Sequence, residues 1–141
     1  MIMDYFEKYR AQEAKWASEV RDYILRGGDP NIRPANSGWG FVHIAAEYCN
    51  PELIALLAAF GADLNVIDLN GWTPLIHAVD SELDGASQDG KPFTLETAKM
   101  LIMFGADQNL RSNDGKSARD FAARYGKEVL ALYDSIQTSD R

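Results

Sequence analysis

Asn70-Gly71-Trp72-Thr73-Pro74-Leu75-Ile76-His77-Ala78-Val79 decides the fold. Asn-Gly is a strong turn signal, because both residues tolerate positive φ. Thr73 stands where a helix would begin, and its hydroxyl can accept one of the unpaired amides of the first turn. Pro74 suits the first helical position, where no amide partner is needed. The stretch therefore reads as a turn feeding a helix, and the chain repeats it.

Gly38-Trp39-Gly40-Phe41-Val42-His43-Ile44-Ala45-Ala46 lies 33 residues earlier, and Gly115-Lys116-Ser117-Ala118-Arg119-Asp120-Phe121-Ala122-Ala123 lies 44 later. A second signal runs with the first: Gly27-Gly28-Asp29-Pro30-Asn31, Gly61-Ala62-Asp63-Leu64-Asn65 and Gly105-Ala106-Asp107-Gln108-Asn109. An apolar helical run precedes each of these. Two interleaved signals sharing a period near 33 residues mean a stacked repeat.

Leu56-Leu57-x-x-Phe60-Gly61-Ala62-Asp63-Leu64-Asn65, together with Thr73-Pro74-Leu75 followed by Ala78-Val79, resembles the ankyrin repeat. The resemblance covers about 19–136. It implies an all-α, ankyrin-type solenoid of stacked helix-turn-helix units in one domain. The units fall at 1–35 (an N-terminal helical cap and half repeat), 36–68, 69–112 and 113–136 (a C-terminal capping repeat), with a tail at 137–141. Residues 4–26 hold no Gly or Pro, so they read as one long helix or two with a bend near 11–14. Its Tyr5, Phe6, Tyr9 and Trp16 are expected to cover the exposed end of the stack.

The unit at 69–112 carries an excess of 11 residues between its two helices. Residues 80–92 hold four carboxylates before the first cation, Lys91, and show no apolar period, so they read as an acidic surface loop. Insertions in repeats usually map to loops on one face, often the binding face. Thr94 is expected to cap the helix that follows. In the last unit Ser117 is expected to cap. Arg119 stands at a position that faces the core in the family, so its stem should pack while the guanidinium reaches a carboxylate.

Chemistry finds little support. Asp80-x-Glu82-x-Asp84-Gly85 imitates the opening of a calcium loop, but Lys91 falls at the twelfth place, where a bidentate Glu is needed. His43 occupies the usual ankyrin histidine position, where the imidazole ties neighbouring turns together; His77 is shifted by one, with Ile76 in the histidine's place. Cys49 stands where the family usually has Gly and has no histidine near it in sequence. No phosphate-binding Gly-rich motif occurs. The chain reads as non-enzymatic, with no cofactor and no metal. An enzyme using the acidic loop to hold a metal is the alternative from another class.

The 141 residues carry a net charge of −7 and are 46% hydrophobic. That balance repels phosphate backbones and favours encounter with a basic surface, so a nucleic acid is not the expected partner. No apolar run approaches the roughly 20 residues that span a bilayer, so no membrane is expected either. The start of the chain, with Asp4 and Glu7, lacks a signal-peptide core. The single cysteine excludes an internal disulfide and suits a reducing compartment, so a cytoplasmic location is expected.

Trp39 and Trp72 each follow the turn glycine in successive units. In ankyrin proteins that position, the turn tips and the end of the first helix line a concave partner surface. Carried over residue by residue, the resemblance implies Asn36, Ser37, Trp39, Glu47 and Tyr48; then Leu69, Asn70, Trp72, Asp80 and Ser81; then Asn113, Asp114, Lys116, Arg124 and Tyr125. Glu82 and Asp84 of the acidic loop join them. The function expected is binding one partner protein that presents a basic surface. A narrower version is an inhibitor: a small acidic ankyrin-like chain resembles the immunity proteins that bacteria pair with secreted toxins.

Overall fold

Helices follow the turns wherever the local sequence can cap them. The structure, a computed structural model, describes residues 2–33 and 38–139, with side chains from 12 to 136. In order, the helices are α1 (Ile2–Leu25), α2 (Phe41–Glu47), α3 (Pro51–Ala59), α4 (Pro74–Asp89), α5 (Glu96–Met103), α6 (Ala118–Ala123) and α7 (Lys127–Ser139). No strand occurs among the described residues. Hairpins α2–α3, α4–α5 and α6–α7 stack side by side. Helices α2, α4 and α6 form one row; α1, α3 and α5 form the other.

Each hairpin opens on a satisfied amide. The Thr73 hydroxyl accepts from the Ile76 amide at 3.2 Å, and Ser117 and Asp120 exchange hydrogen bonds in a capping box. At α2, where Gly40 has no side chain, His43 Nδ1 accepts from the Gly40 amide at 3.1 Å. Asn50 caps α3 through the Leu53 amide. The recurring Asp-x-Asn also acquires a physical meaning. Each Asp holds its own Asn two residues on, as Asp63 Oδ1 accepts from the Asn65 amide at 2.8 Å. The first two Asn then tie the next unit: Asn31 Oδ1 accepts from the Asp63 amide, and Asn65 Oδ1 from the Asp107 amide, both at 2.7 Å.

The core lies between the rows. Leu53, Ile54, Leu57, Leu75, Ile76, Leu83 and Leu101 are fully buried, each contributing roughly 1.5–3 kcal/mol over an exposed state. Helix α1 is unbroken, and Ala17, Val20 and Ile24 bury against the first hairpin. Trp16 meets Phe41 and Tyr48 edge-on at 6.3 and 5.8 Å between ring centres, as an end cap should. The side chains of Tyr5, Phe6 and Tyr9 lie outside the described residues.

Three local expectations need correction. Residues 80–89 are helical rather than a loop, because α4 runs on to Asp89 and ends at Gly90 in the left-handed conformation. Leu83 falls four residues after Val79 and is wholly buried, which anchors the extension. Thr94 does not cap α5; the helix begins after Leu95 with no cap from its own segment. The Glu82 carboxylate supplies it from α4, accepting from the Ala98 amide at 2.9 Å. The Arg119 stem is exposed rather than packed inward, although the guanidinium does reach a carboxylate as expected. It pairs with both Asp134 oxygens at 2.9 Å.

The turn at Gly71 cannot accept a side chain. Its φ is 74°, and an added Cβ would stand 2.8 Å from the backbone nitrogen of Asn113 in the next turn. That nitrogen donates to Asn70 O at 3.0 Å, so it has little room to move. Gly71→Ala is expected to cost about 2 kcal/mol or more, the left-handed penalty of roughly 1–2 kcal/mol plus displacement of the neighbouring turn. Urea unfolding measures it; an unchanged midpoint refutes the close approach.

Candidate functional site

Asp68 organises the face made by α2, α4, α6 and the turns between them. It precedes the Asn-Gly turn, and its Oδ1 accepts the amides of Asn70 and Trp72, each at 2.9 Å. Its Oδ2 accepts the Trp39 indole N–H at 3.0 Å and faces His77 Nε2 at 2.9 Å. Burial alone would raise its pKa. The hydrogen bonds from His77, Trp72 and Asn70 outweigh that and hold the carboxyl below the usual range. In the last unit Ser112 stands in Asp68's place and accepts only the Lys116 amide, at 3.3 Å.

His77 is buried at the centre of this face. Its Nδ1 lies 2.9 Å from Glu47 Oε2 on α2. Trp39 meets its ring edge-on at 4.7 Å, and Trp72 lies tilted against it at 5.1 Å. Trp72 also meets Phe121 edge-on at 4.9 Å. The two indoles are thus half-buried and packed over neighbouring turns. They brace the face as well as border it.

His43 behaves as its position implies. Its Nδ1 accepts from the Gly40 amide, so the proton sits on Nε2, which points at Trp72 O at 3.0 Å. Burial lowers its pKa, which keeps this tautomer neutral. His43, Asp68 and His77 place potential metal-ligating atoms within 4.8 Å of one another. Every one of those atoms is already committed to a hydrogen bond within the fold, so the cluster reads as a structural junction.

Beyond His77 lies an acidic row. Asp80 and Asp84 sit one helical turn apart on α4, and Glu47 approaches them from α2. Burial first, then Glu47 and Asp84, raise the pKa of Asp80; Arg124 and His77 partly offset them. Burial and the charges of Asp80 and Asp84 likewise raise the pKa of Tyr125. Phe93, on the return from α4, meets Tyr125 edge-on at 5.7 Å. Arg124 lies over the Phe121 ring at 4.4 Å.

The sequence-predicted residues divide accordingly. Trp39, Trp72, Glu47, Asp80, Asp84, Arg124 and Tyr125 come together. Ser81 donates to Glu47 O at 2.6 Å and fastens α4 to the end of α2. Tyr48 packs beside Trp16. Leu69, Asn70, Asn113, Asp114 and Lys116 are exposed at the turn tips, where Asn113 Nδ2 donates to Leu69 O at 3.0 Å. Asn36 and Ser37 lie outside the described residues. Glu82 turns away from the row to cap α5. A helix thus sends Glu82 to a different side from Asp80 and Asp84, which breaks the alternate-residue geometry of a calcium loop. The sequence reading missed Asp68, His77 and Phe93. An Asp two residues ahead of Asn-Gly was the available signal for the first.

Two titratable groups near the extension have costly environments. Burial pushes the Cys49 thiol up to about 11, with Glu82, Glu47 and Glu13 adding to it, so the thiol is a poor nucleophile. Burial lifts Glu82 to about 7, although the amides of Ala98, Thr97 and Glu96 favour its charge. A carboxyl that holds its proton more tightly when folded loses stability as pH rises from about 4.5 to about 7. Glu82→Gln, whose Oε1 can still accept from Ala98, is expected to remove about 2–3 kcal/mol of that pH dependence and to exceed the parent in stability at pH 8. Urea titrations at pH 5 and pH 8 measure it; an equal slope in both chains refutes it.

Comparison with known proteins agrees with this architecture. A family model of ankyrin repeats in three copies matches residues 11–88, and the model of a single ankyrin repeat matches 70–113. Protein phosphatase 1 regulatory subunit 27 of Homo sapiens is 35% identical over 97 residues, 69% of this chain and 56% of that protein. Protein phosphatase 1 regulatory subunit 12A of Mus musculus is 28% identical over 128 residues, 91% of this chain and 11% of that protein. Ankyrin repeat protein nuc-2 of Neurospora crassa is 39% identical over 108 residues, 76% of this chain and 9% of that protein. The chain spans little more than half the length of one of these relatives and about a tenth of the other two. A turn, two antiparallel helices and a return loop, repeated and matched by the family model over more than half the chain, place it in the ankyrin repeat family.

Proposed function

We propose that the chain is a non-enzymatic protein-binding module whose inner face takes a basic segment of one partner protein. The row Glu47, Asp80 and Asp84 carries the reading. The fold crowds like charges there, and burial together with Glu47 and Asp84 disfavours the charge of Asp80. Tyr125 and Phe93 border the row with aromatic surface, which suits the stem of a Lys or Arg. Because the helices are already ordered, binding there costs little conformational entropy. The relatives named as phosphatase regulatory subunits support a role in binding another protein rather than in chemistry of its own. A cytoplasmic site of action is part of the same proposal; no described helix is long and apolar enough to cross a membrane.

The test is affinity capture by the full chain in parallel with Asp80→Lys/Asp84→Lys. The partner is the protein retained by the parent at low salt, weakened at high salt and lost with the double variant. A partner that binds both chains equally overturns the assignment.

A further inference from the structure

The two carboxylates that flank His77 differ in their freedom. Asp68 is enclosed and held by Asn70, Trp72 and Trp39 as well as by the ring. The Glu47 side chain is 35% exposed and stands at the edge of the acidic row. Both lie 2.9 Å from a ring nitrogen, and carboxylates only accept. A neutral imidazole has a single N–H, so it can satisfy one of them and not both. The other charged or titratable groups facing the ring are His43 from α2 and Asp80 from α4 itself; Arg124, just past the end of α6, faces Asp80.

We propose that His77 is a proton-operated latch on Glu47. With both nitrogens protonated, the ring donates to Asp68 and Glu47 and holds Glu47 folded against the core. When the Nδ1 proton passes to water, a nitrogen lone pair faces the carboxylate instead, and Glu47, already at the edge of the Asp80–Asp84 row, swings away from the ring into solvent. Nε2 keeps its proton, because Asp68 cannot withdraw. The ring loses its charge between two indoles, so Trp39 and Trp72 register the event. The inner face becomes more acidic as the latch opens, and a basic partner is held more tightly. That consequence rests on the binding-face reading; the motion does not.

The motion is tested on the full chain without any partner. Indole emission is followed from pH 5 to pH 9 beside the His77 ring resonances, in a Trp16→Phe background that removes the third indole. The expected result is one emission transition that coincides with the titration of the His77 ring. Glu47→Gln displaces it to lower pH, because the carboxylate charge beside Nδ1 is gone. His77→Gln abolishes it. Because His77→Gln also removes a partner of buried Asp68, the surface variant Glu47→Gln carries the decision. An emission transition that Glu47→Gln leaves in place, or a ring titration without any emission change, overturns the latch. A latch that moves as expected while partner binding stays independent of pH would instead count against the binding-face reading.

Discussion

Asp68→Ala is expected to destabilise the chain by about 3–5 kcal/mol, the usual cost of removing one member of a buried charged pair. The carboxylate accepts four donors at 2.9–3.0 Å. Asn70 is exposed, so its amide can turn to water. The buried His77 ring has no such recourse and the half-buried Trp72 amide and Trp39 indole have less of it; an unsatisfied buried donor costs about 1–3 kcal/mol. Against a total stability of roughly 5–15 kcal/mol the loss is large. The melting temperature should fall by about 10–15 °C. Asp68→Asn should cost nearly as much, because its amide offers one acceptor oxygen and sets N–H groups against N–H groups. The carboxyl is held below its ordinary range, so its contribution is full at neutral pH and is lost as acid takes the pH below that range. A melting temperature within a few degrees of the parent's would show that Asp68 is not the junction described.

Asp80→Lys/Asp84→Lys is expected to have the largest effect on binding, a loss of about 30- to 1,000-fold, or roughly 2–4 kcal/mol. The change replaces attraction to a basic segment with repulsion, at positions that no cap or core contact needs. Asp84 is exposed, and its side chain meets only Gln88, at 2.8 Å. Asp80 already disfavours its own charge. Stability should therefore change by no more than about 1 kcal/mol, which thermal unfolding in parallel verifies. Reversal at the turn tips, by Lys116→Glu, should alter affinity far less. If the turn-tip variant weakens binding more than the row variant does, the partner sits elsewhere on the stack.

The hairpins were legible in the sequence because turn, cap and apolar spacing agreed. Asn70-Gly71, Thr73 and Pro74 all point to the same helix start, and Asp-x-Asn marks every return. The extension of α4 was not legible, because Ser81, Asp84, Gly85 and Ser87 have weak helix propensity. Tertiary contacts decide it: Leu83 enters the core and Glu82 reaches across to α5. Both need the partner helix to be in place, which a local pattern does not show. The tryptophans were only half understood. Their shared position in the repeat was visible; that both lean on His77 was not, since the ring comes from a histidine one place away from the usual one. Glu82 was assigned to a surface loop because residues 80–92 show no apolar period, whereas an uncapped helix start drew it inward.

The long α4 has one more consequence. It has 16 residues where α2 has 7, and at about 1.5 Å per residue the surplus rises roughly 14 Å. The six residues from Gly90 to Leu95 that lead back can span up to about 20 Å when extended. An outgoing residue climbs less than half as far as a returning one covers, so the excursion closes on itself and delivers the chain to α5 in register. Such an arm can lengthen or shorten by whole turns while its neighbours keep their places, so reach and spine can be altered independently.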